Sequence, residues 1–207
     1  MKFLLILCVF INFSFAQTHN LRSDSQGTVI LGYEPLTTWM PSKFALSYTH
    51  IFNKKFSLEF EYAWSSVSAD IYVVDFGSVS EKRFSLLTRH YMGNSFHFIY
   101  GLFRNDFYAR VGGDLLEDLS RQSFDYFRVV GTGITLGIGN RWQSPKGITW
   151  GVDWIKMNVP LLDRRVEDDI LNYVESESSR KDLKEVIGVV KNVPTFTLLA
   201  LHLGYTF

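Results

Sequence analysis

Strict alternation of apolar and polar residues is the sequence feature that most limits what this chain can fold into. Side chains on one face of a β-strand recur at every second position. In residues 56–64 the run Phe-Ser-Leu-Glu-Phe-Glu-Tyr-Ala-Trp alternates without a break. The preceding run, residues 44–49, alternates in the same way, and Asn53-Lys54-Lys55 lies between them as a tight-turn sequence. These residues predict a β-hairpin.

The same alternation recurs along the chain and predicts eight strands. They lie at residues 29–33, 44–49, 56–64, 82–91, 96–102, 130–138, 148–154 and 199–207. The facing of residues 82–91 stays open, because Leu86 and Leu87 are adjacent apolar residues.

The predicted connections alternate in length. Short turns fall at residues 53–55, 92–95 and 143–147, whereas outer loops fall at about 36–41, 65–81, 104–125 and 157–193, of which only the first is short. Short turns on one rim and long loops on the other are typical of bacterial outer-membrane barrels. We therefore predict an all-β fold, an eight-stranded antiparallel transmembrane β-barrel with meander topology. A ten-stranded barrel with an extra strand at residues 71–76 remains an alternative.

A soluble barrel or sandwich would show the same alternation with its apolar face turned inward. Two features favour the membrane. The polar faces are rich in Gly, Ala, Ser and Thr and carry few Lys, and aromatic residues such as Trp64 and Trp154 stand at strand ends, as in an interfacial girdle. The 21 basic and 21 acidic residues balance, which argues against a nucleic-acid partner.

The N-terminus has the features of a secretory signal peptide. Lys2 is followed by an apolar stretch at residues 3–13, and Ser14 and Ala16 are small residues at the expected cleavage positions. We predict a signal peptide at 1–16 and a barrel domain at 17–207. The alternative is an uncleaved anchor, but the apolar stretch is shorter than a spanning helix needs. The single Cys8 lies in this segment, which excludes a disulfide framework and a Cys-rich metal site.

The last ten residues resemble the C-terminal assembly signal of bacterial outer-membrane proteins. The residues that carry the resemblance alternate along the last strand: Leu201, Leu203, Tyr205 and Phe207. The whole chain resembles the small eight-stranded barrels of the OmpA, OmpX and OmpW kind, without a signature of one subfamily. The resemblance implies an outer-membrane location, contact with outer-membrane lipids and recognition by the barrel-assembly machinery.

The lumen of an eight-stranded barrel is just wide enough to be filled by its own side chains. Strand parity predicts that seven polar residues point into it: Glu34, Glu59, Glu61, His97, Arg141, Asp153 and His202. Arg89 is an eighth candidate, since the facing of its strand stays open. Buried charges need partners, so we predict a structural network of ion pairs. The alternative is a gated polar path that makes the protein a narrow channel or a carrier of small molecules.

Catalysis is the least supported alternative. His50, His90, His97 and His202 fall in different strands, and Ser47 faces away from His50. The sequence has no nucleophile elbow, zinc pair or calcium loop, so we predict no enzyme activity, no metal site and no cofactor. A barrel-embedded lipid-modifying enzyme would need such groups close together near a rim.

The fourth outer loop, 157–193, carries apolar residues at helical spacing. They form two runs: Leu162, Val166, Ile170 and Tyr173, then Leu183, Ile187 and Val190. The spacing predicts a partly helical loop, a helical hairpin that either caps the rim or binds a partner protein or lipid headgroup. The sequence therefore favours a structural or surface-interaction role through the outer loops.

Overall fold

The structure is a computed structural model that describes residues 18–38, 40, 42–71, 74–111, 126–167 and 177–207. The strands within these residues are β1 (Gly27–Glu34), β2 (Leu36–Thr37), β3 (Lys43–Ile51), β4 (Phe56–Ile71), β5 (Val74–Tyr91), β6 (Phe96–Val111), β7 (Tyr126–Gln143), β8 (Ile148–Glu167) and β9 (Thr195–Thr206). The helices within them are α1 (Thr18–Ser23) and α2 (Glu177–Asn192).

Every strand from β3 to β9 pairs antiparallel with its neighbour in the sequence, and β1 pairs with both β3 and β9. The sheet is therefore closed. The two-residue β2 follows β1 after Pro35 and pairs with the same neighbour, β9, so the wall has eight strand positions. The predicted eight-stranded antiparallel meander is confirmed.

The wall is apolar outside and polar inside. In β3, buried and exposed residues alternate from Lys43 to His50. Side chains on the outer surface include Leu31, which is 64% exposed, and Phe84, which is 60% exposed. On the inner surface Glu59 and Arg89 are completely buried. A barrel with this arrangement suits a hydrocarbon surrounding, because lipid tails cover the outer band and the charges stay inside.

The strands of the long-loop rim extend further than alternation predicted. Residues 65–71, 74–81, 104–111 and 157–167 were predicted to be loop, but they belong to β4, β5, β6 and β8. The proposed extra strand at 71–76 is wrong as well, since its described residues end β4 and begin β5. Beyond the apolar band the outward-facing residues become polar like the inward-facing ones. Apolar and polar residues then no longer alternate, and the strand cannot be recognised from the sequence.

The predicted helical hairpin is wrong in its first half. Leu162 and Val166 lie in β8, where they pair with Thr132 and Val129 of β7. Ile170 and Tyr173 lie outside the described residues. The second apolar run falls on α2, whose Ile187 is buried in a cluster at the long-loop rim with Met40, Phe107, Ala109, Phe127 and Val129. We call this group the rim cluster. None of the described helices is long and apolar enough to cross a membrane.

A bulge reverses the facing of β8 in mid-strand. The β7–β8 register shifts between Ile138 and Gly139, and Trp154 and Ile155 are both exposed although they are consecutive. At the same level of β9, Leu198 and Leu199 are both exposed, and Leu199 has a φ of 59°. An extra residue in one strand moves every following side chain to the opposite face. Beyond the bulge, Lys156 therefore points into the lumen.

Candidate functional site in the lumen

Six residues from six strands, β4 to β9, form a network in the half of the lumen nearer the short turns. We call it the lower cluster: Glu59, Arg89, His97, Arg141, Asp153 and His202, none of which is more than 7% exposed. Alternation brings them inside, and the closure of the sheet brings β4, β5 and β8 within reach of each other across a narrow lumen.

Arg89 is the centre of the lower cluster. Its Nε and Nη2 donate to the two oxygens of Glu59 over 2.8 and 3.1 Å, and its Nη1 and Nη2 donate to Asp153 over 2.7 and 3.0 Å. Its Nη1 also lies 2.6 Å from Nε2 of His97. The His97 ring therefore accepts at Nε2, and its Nδ1 lies 3.2 Å from the carbonyl oxygen of Ser95, to which it donates. Bidentate contacts fix the guanidinium plane, which single-point contacts would not do.

The remaining members complete the charge balance. Arg141 Nη1 lies 2.8 Å from Oε2 of Glu59, and His202 Nε2 lies 2.9 Å from Oδ2 of Asp153. Two guanidinium groups thus face two carboxylates, with the two histidine rings beside them. A balanced and hydrogen-bonded set is the arrangement in which charges can be held away from water.

A second network lies farther toward the long-loop rim. This upper cluster consists of Glu34, Glu61, Arg83 and Lys156. Arg83 Nη2 lies 2.7 Å from Glu34 and 3.0 Å from Glu61, and Lys156 Nζ lies 2.7 Å from Glu34 and 3.1 Å from Glu61. Two cations and two carboxylates again match. Above them Lys43 and Glu81 form a further buried pair, with a 2.5 Å contact between Nζ and Oε1.

The structure places all eight polar residues expected from the sequence inside the lumen, six in the lower cluster and two in the upper. Sequence reasoning missed four further lumen charges: Lys43, Glu81, Arg83 and Lys156. Lys43 lies one residue before the predicted strand 44–49, in line with Ala45. Arg83 lies within the predicted strand 82–91, in line with Ser85 and Arg89, so alternation would have found both. Alternation did not find Lys156, because the bulge in β8 moves its side chain to the face opposite the one that alternation predicts.

Glycines in β7 let its backbone approach β8. A Cβ on Gly133 would meet the carbonyl oxygen of Val159 and lie 2.8 Å from Cα of Pro160, and a Cβ on Gly139 would lie 2.5 Å from Oδ1 of Asp153. Gly131 is different, because its added Cβ would make only an ordinary 3.9 Å contact with Pro160. The glycines at 133 and 139 thus serve a close approach between strands.

The end of the lumen nearer the short turns is covered by α1 through a single arginine. Arg22 is 3% exposed, and its Nη1 and Nη2 donate to the carbonyl oxygens of Lys54 and Asn94 over 3.0 and 2.7 Å. Its guanidinium carbon lies 3.4 Å from the ring centre of Tyr91. Burial is the main cause that lowers the pKa of Arg22 below its usual value, and the nearby charge of Arg141 acts in the same direction. Sequence reasoning missed Arg22, because no alternation marks the segment before β1.

Histidines are found on both faces of the wall. His97 and His202 point into the lumen, whereas His90 stacks on Phe56 at 4.3 Å between ring centres and His50 packs edge-on against Phe52. Ser47 is buried while His50 is exposed, so the two do not meet. Among the described residues, no three His, Cys, Asp or Glu side chains are arranged to hold a metal ion.

The sequence matches no family model and no curated protein. Solved structures do match. Ail, the attachment invasion locus protein of Yersinia pestis, is 12% identical over 88% of this chain and 99% of its own, with a TM-score of 0.50. Its complex with the heparin analogue sucrose octasulfate gives 13% identity over the same shares and a TM-score of 0.51. OprG of Pseudomonas aeruginosa is 12% identical over 89% of this chain and 98% of its own, with a TM-score of 0.48.

Likeness at this identity concerns the fold. The closed wall of eight antiparallel strands, its apolar outer surface and its polar lumen agree with that fold. The chain therefore has the fold of the small eight-stranded outer-membrane β-barrels, as Ail does.

Proposed function

We propose that this protein is an integral outer-membrane barrel whose lumen is closed by its own ion pairs and which acts through its outer rim. The observation that carries the proposal is the pair of stacked networks, the lower and upper clusters, in which each buried carboxylate contacts cations from other strands. Such contacts occupy the middle of the lumen, where a solute path would have to run. In this proposal residues 1–16 are the signal peptide that directs the chain across the inner membrane.

A passing ion would have to replace contacts that the protein already makes. Arg89 alone holds Glu59 and Asp153 by four hydrogen bonds of 2.7 to 3.1 Å. Removing one partner from a buried pair costs about 3–5 kcal/mol, so spontaneous opening is rare. The rim cluster with Ile187 of α2 adds an apolar cover at the outer mouth, where hydrated ions are disfavoured.

The outer wall offers a surface for anionic headgroups. Lys82, Arg104 and Arg165 are exposed there. Lys82 and Arg104 stand two residues beyond Phe84 and Leu102, the apolar residues of the same strands. Cations just outside an apolar band lie at the height of lipid phosphates, and each contributes about 1 kcal/mol to binding an anionic surface. The structure of Ail with a heparin analogue is an example of a similar barrel with an anionic ligand. We propose phosphate-bearing lipid headgroups of the outer leaflet as the partner.

The last strand supports a role for the barrel-assembly machinery as a second partner. Leu201, Leu203, Tyr205 and Phe207 are 47%, 61%, 57% and 60% exposed on the outer surface. They form a continuous row that another protein can reach before lipid covers it. We propose this row as the assembly signal.

Single-channel recording of the refolded protein in a planar bilayer tests the closed lumen. A shift in gel mobility between unheated and boiled samples first certifies folding. We expect no discrete openings. Reproducible openings whose conductance changes in Glu61→Ala and Arg141→Ala would contradict the proposal and favour a channel. A change in the lipids of cells carrying the protein would favour an enzyme.

Binding of lipid A to the detergent-solubilised protein, followed by native mass spectrometry, tests the headgroup site. We expect Lys82→Gln, Arg104→Gln and Arg165→Gln each to weaken binding by roughly fivefold. Lys55→Gln and Lys146→Gln, which remove exposed charges at the opposite rim, serve as controls. Equal losses in both groups, or equal binding of dephosphorylated lipid A, would contradict a phosphate site at the outer rim.

A further inference from the structure

A small cavity lies between Arg22 and the lower cluster. It is lined by two arginines, Arg22 and Arg141, together with Tyr91, Trp142 and threonine side chains, and about 10 Å³ is open to the centre of a water-sized sphere. That space holds one small species, such as a water molecule or a monatomic ion. It excludes phosphate, sulfate and organic acids.

The charges around the cavity do not balance. The lower cluster matches two guanidinium groups with two carboxylates, and the upper cluster is matched as well. Arg22 is the additional cation, and it contacts two carbonyl oxygens and the Tyr91 ring rather than a carboxylate. Among the described residues that line the cavity there is no Asp or Glu. Among the described residues, one buried positive charge is thus uncompensated.

Hydrogen-bond donors at the cavity are also unused. Arg141 is 5% exposed, and its Nη1 contacts Glu59 and Thr49. Its Nε and Nη2 are buried without a hydrogen-bond partner among the described residues. Leaving such donors unsatisfied is costly, especially on a charged group. These unused N–H donors and one excess positive charge are what an anion requires.

We propose that this cavity binds one small monovalent anion of about the size of chloride, held between Arg22 and Arg141. The threonine hydroxyls of the lining are already engaged with each other, as in the 2.8 Å contact of Thr28 with Thr206 and the 2.5 Å contact of Thr149 with Thr206. The two arginines therefore provide the recognition. The anion would neutralise Arg22 and fasten α1 to the barrel.

Bromide tests the site, because it replaces chloride and scatters anomalously. We expect crystals of the detergent-solubilised protein grown in sodium bromide to show an anomalous peak within hydrogen-bond distance of Arg141 Nε or Nη2. The peak should disappear in Arg22→Gln and remain in Lys146→Gln, which loses an exposed charge at the same rim. Arg22 lies outside the barrel wall, so Arg22→Gln is expected to fold. Density without an anomalous signal would identify a water molecule and overturn the proposal, as would a peak unchanged in Arg22→Gln.

Thermal unfolding in solution gives an independent readout. At constant ionic strength, replacing sulfate by chloride should raise the unfolding temperature along a saturating curve, since a ligand that binds only the folded state stabilises it. In Arg22→Gln the half-saturating chloride concentration should rise about tenfold or more, because one charge-assisted contact is lost. An equal response to sulfate and chloride, or the same curve in Arg22→Gln, would overturn the proposal.

Discussion

Arg89 of β5 and Asp153 of β8 face each other across the lumen in a two-point contact, with Nη1–Oδ1 and Nη2–Oδ2 distances of 2.7 and 3.0 Å. The strands are not neighbours, so the contact ties opposite parts of the wall together. Both side chains are buried.

Arg89→Ala should lower the free energy of unfolding by about 3–5 kcal/mol, because it leaves Glu59 and Asp153 buried without their main partner. Urea unfolding of the protein in lipid vesicles measures the change. In vesicles of zwitterionic lipid, which offer no net anionic surface, Lys82→Ala on the same strand removes an exposed charge and should change stability little. Equal losses in the two variants would mean that the lower cluster does not stabilise the barrel.

Leu136→Arg should cost about 2–4 kcal/mol, because Leu136 is exposed in mid-strand on the outer face of β7, near the bilayer midplane. Ile148→Arg is the control, since Ile148 is as exposed but begins β8 beside a short turn, where an arginine costs about 0–1 kcal/mol. Refolding yields in vesicles measure both. A soluble, fully folded Leu136→Arg protein would refute the lipid-facing assignment.

Gly133→Ala should destabilise the barrel by about 1–3 kcal/mol through overpacking, since the new Cβ would meet the backbone of Val159. Gly131→Ala on the same strand should be tolerated, because its Cβ makes only an ordinary contact. Comparing the urea midpoints of the two variants isolates the close approach of β7 and β8. If Gly131→Ala were the worse of the two, the packing described for Gly133 would be incorrect.

Phe207→Ala should reduce the amount of barrel assembled in cells while leaving refolding in vesicles unchanged. The substitution keeps the backbone contacts of Phe207 with Gln26 and Gly27 and removes only the outward ring. Heat-modifiable protein in outer-membrane fractions reports assembly, and Leu31→Ala, an outward position on β1, is the control. Wild-type assembly of Phe207→Ala would rule out its role as the recognised end.

Ile187→Asp should release α2 from the outer mouth, because it buries a carboxylate in the rim cluster. Trypsin would then cut at the exposed Lys184, while the barrel stays folded. Val189→Asp is the control on the same helix, since Val189 is 43% exposed. Similar cleavage in both variants would show that Ile187 does not anchor α2.

Alternation predicted the strands of the wall well. The barrel turns apolar side chains outward and polar side chains inward, the reverse of a soluble protein, but its two faces still differ clearly. Phe60 faces outward and Glu59 inward, so a period of two is visible in the sequence. The pattern fails where both faces are polar, and there β4 and β5 extend beyond the predicted strand ends. Leu162 and Val166 show the reverse error, because apolar residues at helical spacing lie in the extended strand β8.

The candidate site was partly predictable for the same reason. Strand parity correctly places Glu59 and Asp153 in the lumen. A bulge has no reliable sequence signal, so parity places Lys156 on the outer face, opposite to where the structure has it. Arg22 depends on the docking of α1 against turns from distant parts of the chain, which no local pattern encodes.

The pairing of β1 with β9 sets the order in which this wall can form. Hairpins such as β3–β4 join residues close in sequence, whereas Thr28 and Thr206 at the closing seam are 178 positions apart. Bringing such distant segments together costs more chain entropy than closing a hairpin. The seam is therefore expected to be the last contact made and the slow step of barrel formation. Until it forms, β1 and β9 remain open edges available for pairing with another chain.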